Sequence, residues 1–162
     1  MSPPTDFGGL SRIVVGTDHG GYELKLFLVE KLRAAGYSVL DVGTFSSDSC
    51  DYPLIGAKVA QAVSGGKGVH GLLLCKSGAG MAIVANKFPH VRAAVCSSVA
   101  LAKHTRRHND ANILVLGAEQ VSERQSAAIL KAWLATSFEG GRHARRIRQI
   151  ERIEKKILCK SL

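Results

Sequence analysis

The sequence predicts an α/β protein in which a parallel β-sheet lies between two layers of helices. Two observations carry this. Short apolar runs alternate with longer amphipathic runs from residue 12 almost to the end, and repeated strand–helix alternation builds a parallel sheet covered on both faces. With 162 residues, 46% of them hydrophobic, the chain is long enough for one domain with a real core.

The elements follow in order. Residues 12–16 (RIVVG) read as the first strand, and 22–35 as a helix stopped by Gly36. A second strand spans 38–42, and a polar loop follows at 46–51. Tyr52 and Pro53 open a helix that runs to about Val63, with Pro where the first turn tolerates it and Gly65 and Gly66 closing it. Residues 70–75 form a third strand, and a helix continues from the glycines at 78 and 80 to about Lys87. Strand four is 92–96, followed by a helix over 98–107. Strand five is 111–116, ended by Gly117, and a helix over 122–137 carries Glu123 in its first turn. After Gly140 and Gly141 a last helix runs to about Lys160. Ile147, Ile150, Ile153 and Ile157 give it one apolar stripe at spacings of three and four. Residues 1–11 read as a loose N-terminal arm, and 12–162 as a single domain that includes the last helix.

Charge and cysteines narrow the function classes. Eight of the Lys and Arg residues lie in 142–162 against Glu151 and Glu154, so this segment holds +6 of the net +9. Such a run suits an acidic ligand, nucleic acid or a solvated helix face. Aromatics are 6% of the chain and none interleave with the basic run, which argues against nucleic acid. No apolar stretch approaches a membrane span, and the first ten residues lack the features of a secretory signal. Cys50, Cys75, Cys96 and Cys159 are scattered with no Cys-x-x-Cys pair. They read as reduced thiols of a cytoplasmic protein.

In a parallel sheet, ligands bind beyond the carboxyl ends of the strands. That rule groups the loops after strands one, two, three and four. The segment 75–87 (CKSGAGMAIVANK) is the most informative of them. It puts a thiol at a strand end, before a loop of small residues that opens a helix. Such a loop can present backbone N–H groups to an anion, and a helix start favours negative charge, hence a thiolate. The plainer alternative is a βα turn with a buried cysteine. Gly78 and Gly80 follow the third strand, with no further Gly three residues on, so a dinucleotide fingerprint is weak.

Asp18 and His19 follow strand one directly. They could bind sugar hydroxyls, a phosphate or a metal, or simply cap the next helix. His108, Asn109 and Asp110 form either a polar turn or an acid–base group with a hydrogen-bonding neighbour. His104 stands four residues before His108, a spacing seen in zinc helices, but Arg106 and Arg107 between them would repel a cation. No metal is therefore expected. Arg142 and Arg146 share a helix face and could clamp a phosphate.

Taken together, five stretches resemble the type B ribose-5-phosphate isomerase family, which also includes allose- and galactose-phosphate isomerases. They are 16–25 (GTDHGGYELK), 51–53 (DYP), 75–87, 106–112 (RRHNDAN) and 138–143 (FEGGRH). They occur in the family's order and cover roughly residues 12–153. The resemblance implies a five-stranded parallel sheet of order 2-1-3-4-5. It implies a homodimer, or a dimer of dimers, with an active site shared between subunits. It also implies metal-free, cofactor-free interconversion of an aldose phosphate and a ketose phosphate, as in the pentose phosphate pathway.

Position by position, the resemblance makes Cys75 the base that moves a proton between C1 and C2, and His108 the acid–base group for ring opening, assisted by Ser77. Asp18, His19 and Asn109 would contact the sugar phosphate and Tyr52 would line the pocket. The backbone of Lys76, Ser77, Gly78, Ala79 and Gly80 would form the anion hole for the enediolate. Arg142 and Arg146 would clamp the phosphate. Two positions depart from the family pattern: Lys76 stands where many members have Gly, and Glu119 where many have Arg. Rival readings are an isomerase of a six-carbon sugar phosphate and a non-catalytic sugar-phosphate-binding subunit.

Overall fold

The structure is a computed structural model that describes residues 12–66 and 69–159. The expected N-terminal arm lies outside the described residues. Five strands and six helices alternate: β1 (Arg12–Thr17), α1 (Tyr22–Ala34), β2 (Ser38–Asp41), α2 (Tyr52–Gly65), β3 (Val69–Cys75), α3 (Ala79–Ala85), β4 (Ala93–Val95), α4 (Val99–Asn109), β5 (Ile113–Gly117), α5 (Glu123–Leu134) and α6 (Gly141–Leu158). A short 3-10 turn, His19–Gly21, joins β1 to α1.

All the strand pairs are parallel. The order is β2-β1-β3-β5-β4, which corrects the expected 2-1-3-4-5 at one edge. The physical reason is visible in the strands themselves. β5 (ILVLG) is buried at every position, whereas β4 (AAV) is three residues long and only partly covered. A strand buried on both faces belongs inside a parallel sheet, and a short, weakly apolar one takes the edge.

Alternate side chains of the central strands feed two cores. Ile13, Val15, Leu72, Leu74, Leu114 and Leu116 pack under α1 and α5, where Trp133 and Leu28 are buried. Val14, Leu73, Cys75, Ile113 and Val115 pack under α2 and α3, around Val59 and Met81. Cys75 is therefore the last side chain of β3 on the α2–α3 face. α5 begins with a capping box: the Ser122 hydroxyl accepts from Gln125 N–H, and the Gln125 side chain returns a bond to the Ser122 backbone.

One buried ion pair ties the outer strand to this frame. Lys25 on α1 has a side chain only 1% exposed. Its Nζ donates to both Asp41 carboxylate oxygens, at 2.9 and 2.7 Å, and to Thr44 O at 2.6 Å. The rings of Phe45 and Tyr22 face the ammonium at 5.0 and 5.5 Å. A buried charge left without its partner is strongly destabilising, at about 3–5 kcal/mol. Asp41→Ala should therefore lower the unfolding free energy by roughly that amount in a urea titration. The double variant Lys25→Met/Asp41→Ala should recover much of the loss.

Candidate active site

Three loops at the carboxyl end of the sheet are stitched together by one side-chain and two backbone hydrogen bonds. Thr17 Oγ1 donates to Leu74 O at 3.1 Å, joining the end of β1 to the end of β3. Ala118 N–H donates to Cys75 O at 2.8 Å, and Glu119 N–H to Lys76 O at 3.0 Å. The loops after β1, β3 and β5 are thus one rigid surface, with the Cys75 thiol in its floor.

The thiol is 6% exposed, and Gly78 N–H points at its sulfur from 3.1 Å. Gly78 has φ +82°, a conformation that favours glycine, and it turns this N–H back onto the strand end. An N–H aimed at sulfur stabilises negative charge there. α3 is only seven residues long, and the donor that reaches the sulfur is this backbone N–H. Cys96, by contrast, is buried beside Thr105, and burial pushes its thiol above the usual range; it is a core residue.

Around Cys75 stand most of the other expected groups. Asp18 is buried, and its Oδ1 accepts from Gly20 N–H at 2.9 Å, so one oxygen caps the turn. His19 Nδ1 accepts from Cys50 N–H at 3.3 Å, which anchors the loop before α2. The Tyr52 ring lies against Gly80: a Cβ there would fall 2.7 Å from two ring carbons. Lys76 is exposed and its side chain crosses Gly20, where a Cβ would meet Lys76 Cγ at 2.5 Å. Ser77 Oγ accepts from Ala79 N–H at 3.4 Å. A cleft of about 290 Å³ opens beside His19 and Gly20, bounded by Glu23, Val121 and Glu123.

The remaining expected residues lie elsewhere. His108 and Asn109 end α4, and Arg142 and Arg146 begin α6. α4 leads into β5, so its end lies beyond the amino-terminal edge of the sheet. Gly71 N–H bonds Asn112 O, and Gly71 is four residues before Cys75, which separates the two levels by roughly 13 Å at about 3.3 Å per residue. His108 and Asn109 lie further out still. Within one chain, the thiol and the basic cluster are at opposite ends of the sheet.

The second cluster has partners that the sequence did not single out. Glu139 accepts from Arg107 Nε at 2.6 Å. Its other oxygen lies 3.5 Å from His108 Nε2 and 3.8 Å from His143 Nε2. The Arg107 hydrogen bond holds the Glu139 carboxyl below the usual carboxylate range. Burial, then the neighbouring His108 and Arg142, push the His143 imidazole down. Arg142 Nε donates to His143 Nε2 at 3.5 Å. Among the described residues, His108, Glu139 and His143 bring three ligand atoms within 4.8 Å. The two rings are parallel, 7° apart in a 4.1 Å stack, so their in-plane lone pairs do not converge on one point. Arg107 and Arg142 adjoin them. The arrangement suits an anion and proton exchange better than a cation.

Comparison with known proteins gives the arrangement a context. Residues 13–150 match the family model described as Ribose/Galactose Isomerase. Ribose-5-phosphate isomerase B of Escherichia coli is 42% identical over 147 residues, which are 91% of this chain and 99% of that protein. The solved structure of Clostridium thermocellum ribose-5-phosphate isomerase B has a TM-score of 0.87 at 47% identity, over 90% of this chain and 99% of that one. Ribose-5-phosphate isomerase B from Mycoplasma genitalium, solved with bound ribulose-5-phosphate, has a TM-score of 0.86 at 36% identity, over 89% of this chain and 96% of that one. With a thiol and amide loop at one end of its parallel sheet and a basic imidazole cluster at the other, this chain belongs to the ribose/galactose isomerase family.

Proposed function

We propose that the chain interconverts ribose 5-phosphate and ribulose 5-phosphate through an enediolate. In this reading it works as a homodimer whose sites each take residues from both subunits. The observation that carries the chemistry is the Cys75 thiol held 3.1 Å from Gly78 N–H at the strand end. Isomerisation needs a base for a weakly acidic C–H and donors for the oxygen that becomes negative. Cys75 supplies the base. The N–H groups that follow it supply the donors, and Lys76 adds positive charge at the mouth. Asp18 and Tyr52 line the sugar-binding surface, and His19 stands at its edge. The relatives named for ribose 5-phosphate, and the neighbour solved with ribulose-5-phosphate, support this substrate.

Distance supports the dimer reading. His108, Asn109, Arg142 and Arg146 cannot reach the Cys75 loop of their own chain, yet an aldose phosphate needs acid–base help at C1 and cations at its phosphate. A second copy brings the amino-end cluster of one subunit to the carboxyl-end loop of the other. Exposed apolar side chains fit such an assembly. Leu54 and Ile83 are 70% and 63% exposed on α2 and α3, and Ile150 and Ile153 are 52% and 59% exposed on α6. Large exposed apolar groups rimmed by charge mark association surfaces. No described helix is long and apolar enough to cross a membrane.

A coupled assay on purified protein, with five- and six-carbon aldose phosphates, tests the substrate. Ribose 5-phosphate should be turned over with the higher kcat/KM. A preference for a hexose phosphate would move the assignment within the family, and binding without turnover would leave a non-catalytic subunit. Cys75→Ala should abolish turnover while retaining ribose 5-phosphate binding by calorimetry. Arg142→Ala and Arg146→Ala should each raise KM by about tenfold or more, since a charge-assisted bond is worth roughly 1.5–3 kcal/mol. Mixing inactive Cys75→Ala subunits with inactive Arg142→Ala/Arg146→Ala subunits should restore about a quarter of parental activity, because half the dimers then hold one intact site. No recovery after verified subunit exchange would show that the site is built within one chain.

A further inference from the structure

His108 is paired on both edges of its ring. One helical turn earlier on α4, His104 brings Nε2 to 3.3 Å from His108 Nδ1. The two rings meet edge to face, with centroids 4.2 Å apart and planes at 73°. On the opposite edge, His108 Nε2 faces the Glu139 carboxylate at 3.5 Å, and Arg107 holds that carboxylate from its other oxygen. His143 stacks on the His108 ring face, and Arg142 adjoins His143. His104 is exposed, His108 half-buried and His143 buried.

This arrangement selects a tautomer. In a neutral imidazole, what one nitrogen binds decides which nitrogen carries the proton. A carboxylate can only accept, so Glu139 favours the His108 tautomer with its proton on Nε2. Nδ1 is then an acceptor, and it faces His104 Nε2. His104 Nε2 then donates to His108 Nδ1, and the His108 Nε2 proton points toward Glu139, 3.5 Å away.

We propose, on the basis of the isomerase reading above, that His104 is a positioning residue and proton relay for ring opening. His108 gives its Nε2 proton to the ring oxygen of the cyclic aldose phosphate as the bond between C1 and that oxygen breaks. The anomeric hydroxyl becomes the aldehyde and releases its proton to water. His104 passes its Nε2 proton to His108 Nδ1 and takes a proton from water at its own Nδ1. The net transfer is one proton from the anomeric hydroxyl to the ring oxygen by way of water and the two imidazoles, and exchange with water then restores the starting tautomers. Without His104, His108 would have to surrender its only proton and become an anion beside the Glu139 carboxylate, or wait to be protonated first.

The test compares the full-length parent with His104→Leu and His104→Gln. Leu and Gln are at least as favourable as His in a helix, and Gln keeps an N–H that can donate to His108. Two reactions are followed. Conversion of ribose 5-phosphate, a furanose, requires ring opening. Hydrogen–deuterium exchange at C1 of ribulose 5-phosphate does not, because its 5-oxygen is esterified and the ketose is open-chain. His104→Leu should slow the first about tenfold or more and leave the second unchanged, and His104→Gln, whose amide can donate to His108 but cannot pass a proton on, should keep the His108 tautomer and not the rate. Long-range ¹H–¹⁵N spectra should show His108 of the unliganded parent protonated at Nε2, a preference that weakens in His104→Leu. Equal loss in both reactions, no loss in either, or a parental His108 protonated at Nδ1 would overturn the relay. A parent active in neither reaction would sink the isomerase reading instead, and the spectra would still decide whether His104 sets the His108 tautomer.

Discussion

The polarity of the parallel sheet is the constraint on which the rest of this structure depends. Because every strand points the same way, all the strand-end loops open at one edge and all the helix-to-strand connections close at the other. Cys75, Asp18 and Lys76 sit on the first edge, and His108, Asn109 and Arg142 on the second. Nothing in a rigid sheet lets these groups approach within one chain. The same geometry that builds a stable thiol loop therefore leaves it without the arginines and the His108 imidazole that stand at the other edge. On the reading adopted here, association of two copies is part of the chemistry, not an addition to it.

Local structure on each edge is matched to its task. On the thiol side the donors are backbone N–H groups, which carry no side-chain entropy and keep their direction because Ala118 and Glu119 bond back to the same loop. On the basic side the groups are long side chains disciplined by one another: Arg107 fixes Glu139, and Glu139 faces two imidazoles. The chain's large positive charge thus has a specific arrangement at the start of α6, rather than being only a solvated surface. Further along that helix Glu154 accepts from His90 N–H at 3.0 Å, which ties it to the loop before β4.

Much of the fold was legible in the sequence, for physical reasons. Alternation of apolar and amphipathic runs located each strand and helix to within a few residues, and Gly36, Gly66 and Gly117 marked the ends. Strand order was not legible at one edge. It depends on how completely β5 is covered relative to β4, and that is a tertiary quantity. Among the site residues, the loop from Cys75 to Gly80 announced itself through composition. The spacing of His104 and His108 was visible too, but spacing alone suggested a metal pair. Only the connection between α5 and α6 brings the Glu139 carboxylate to the far edge of the His108 ring, and no spacing within α4 could have announced it. Glu139 and His143 carried no separate signal, because their meaning lies in contacts made across three elements.

The most direct test of the central claim is a crystal structure with a hydroxamate analogue that mimics the enediolate of a five-carbon sugar phosphate. The hydroxamate should lie between Cys75 Sγ and the N–H groups of residues 76–80 of one subunit. Its phosphate should be held by Arg142 and Arg146 of the other, with that subunit's His108 within hydrogen-bonding distance of the sugar oxygens. An inhibitor whose protein contacts all come from a single chain, or one bound away from Cys75, would contradict the account.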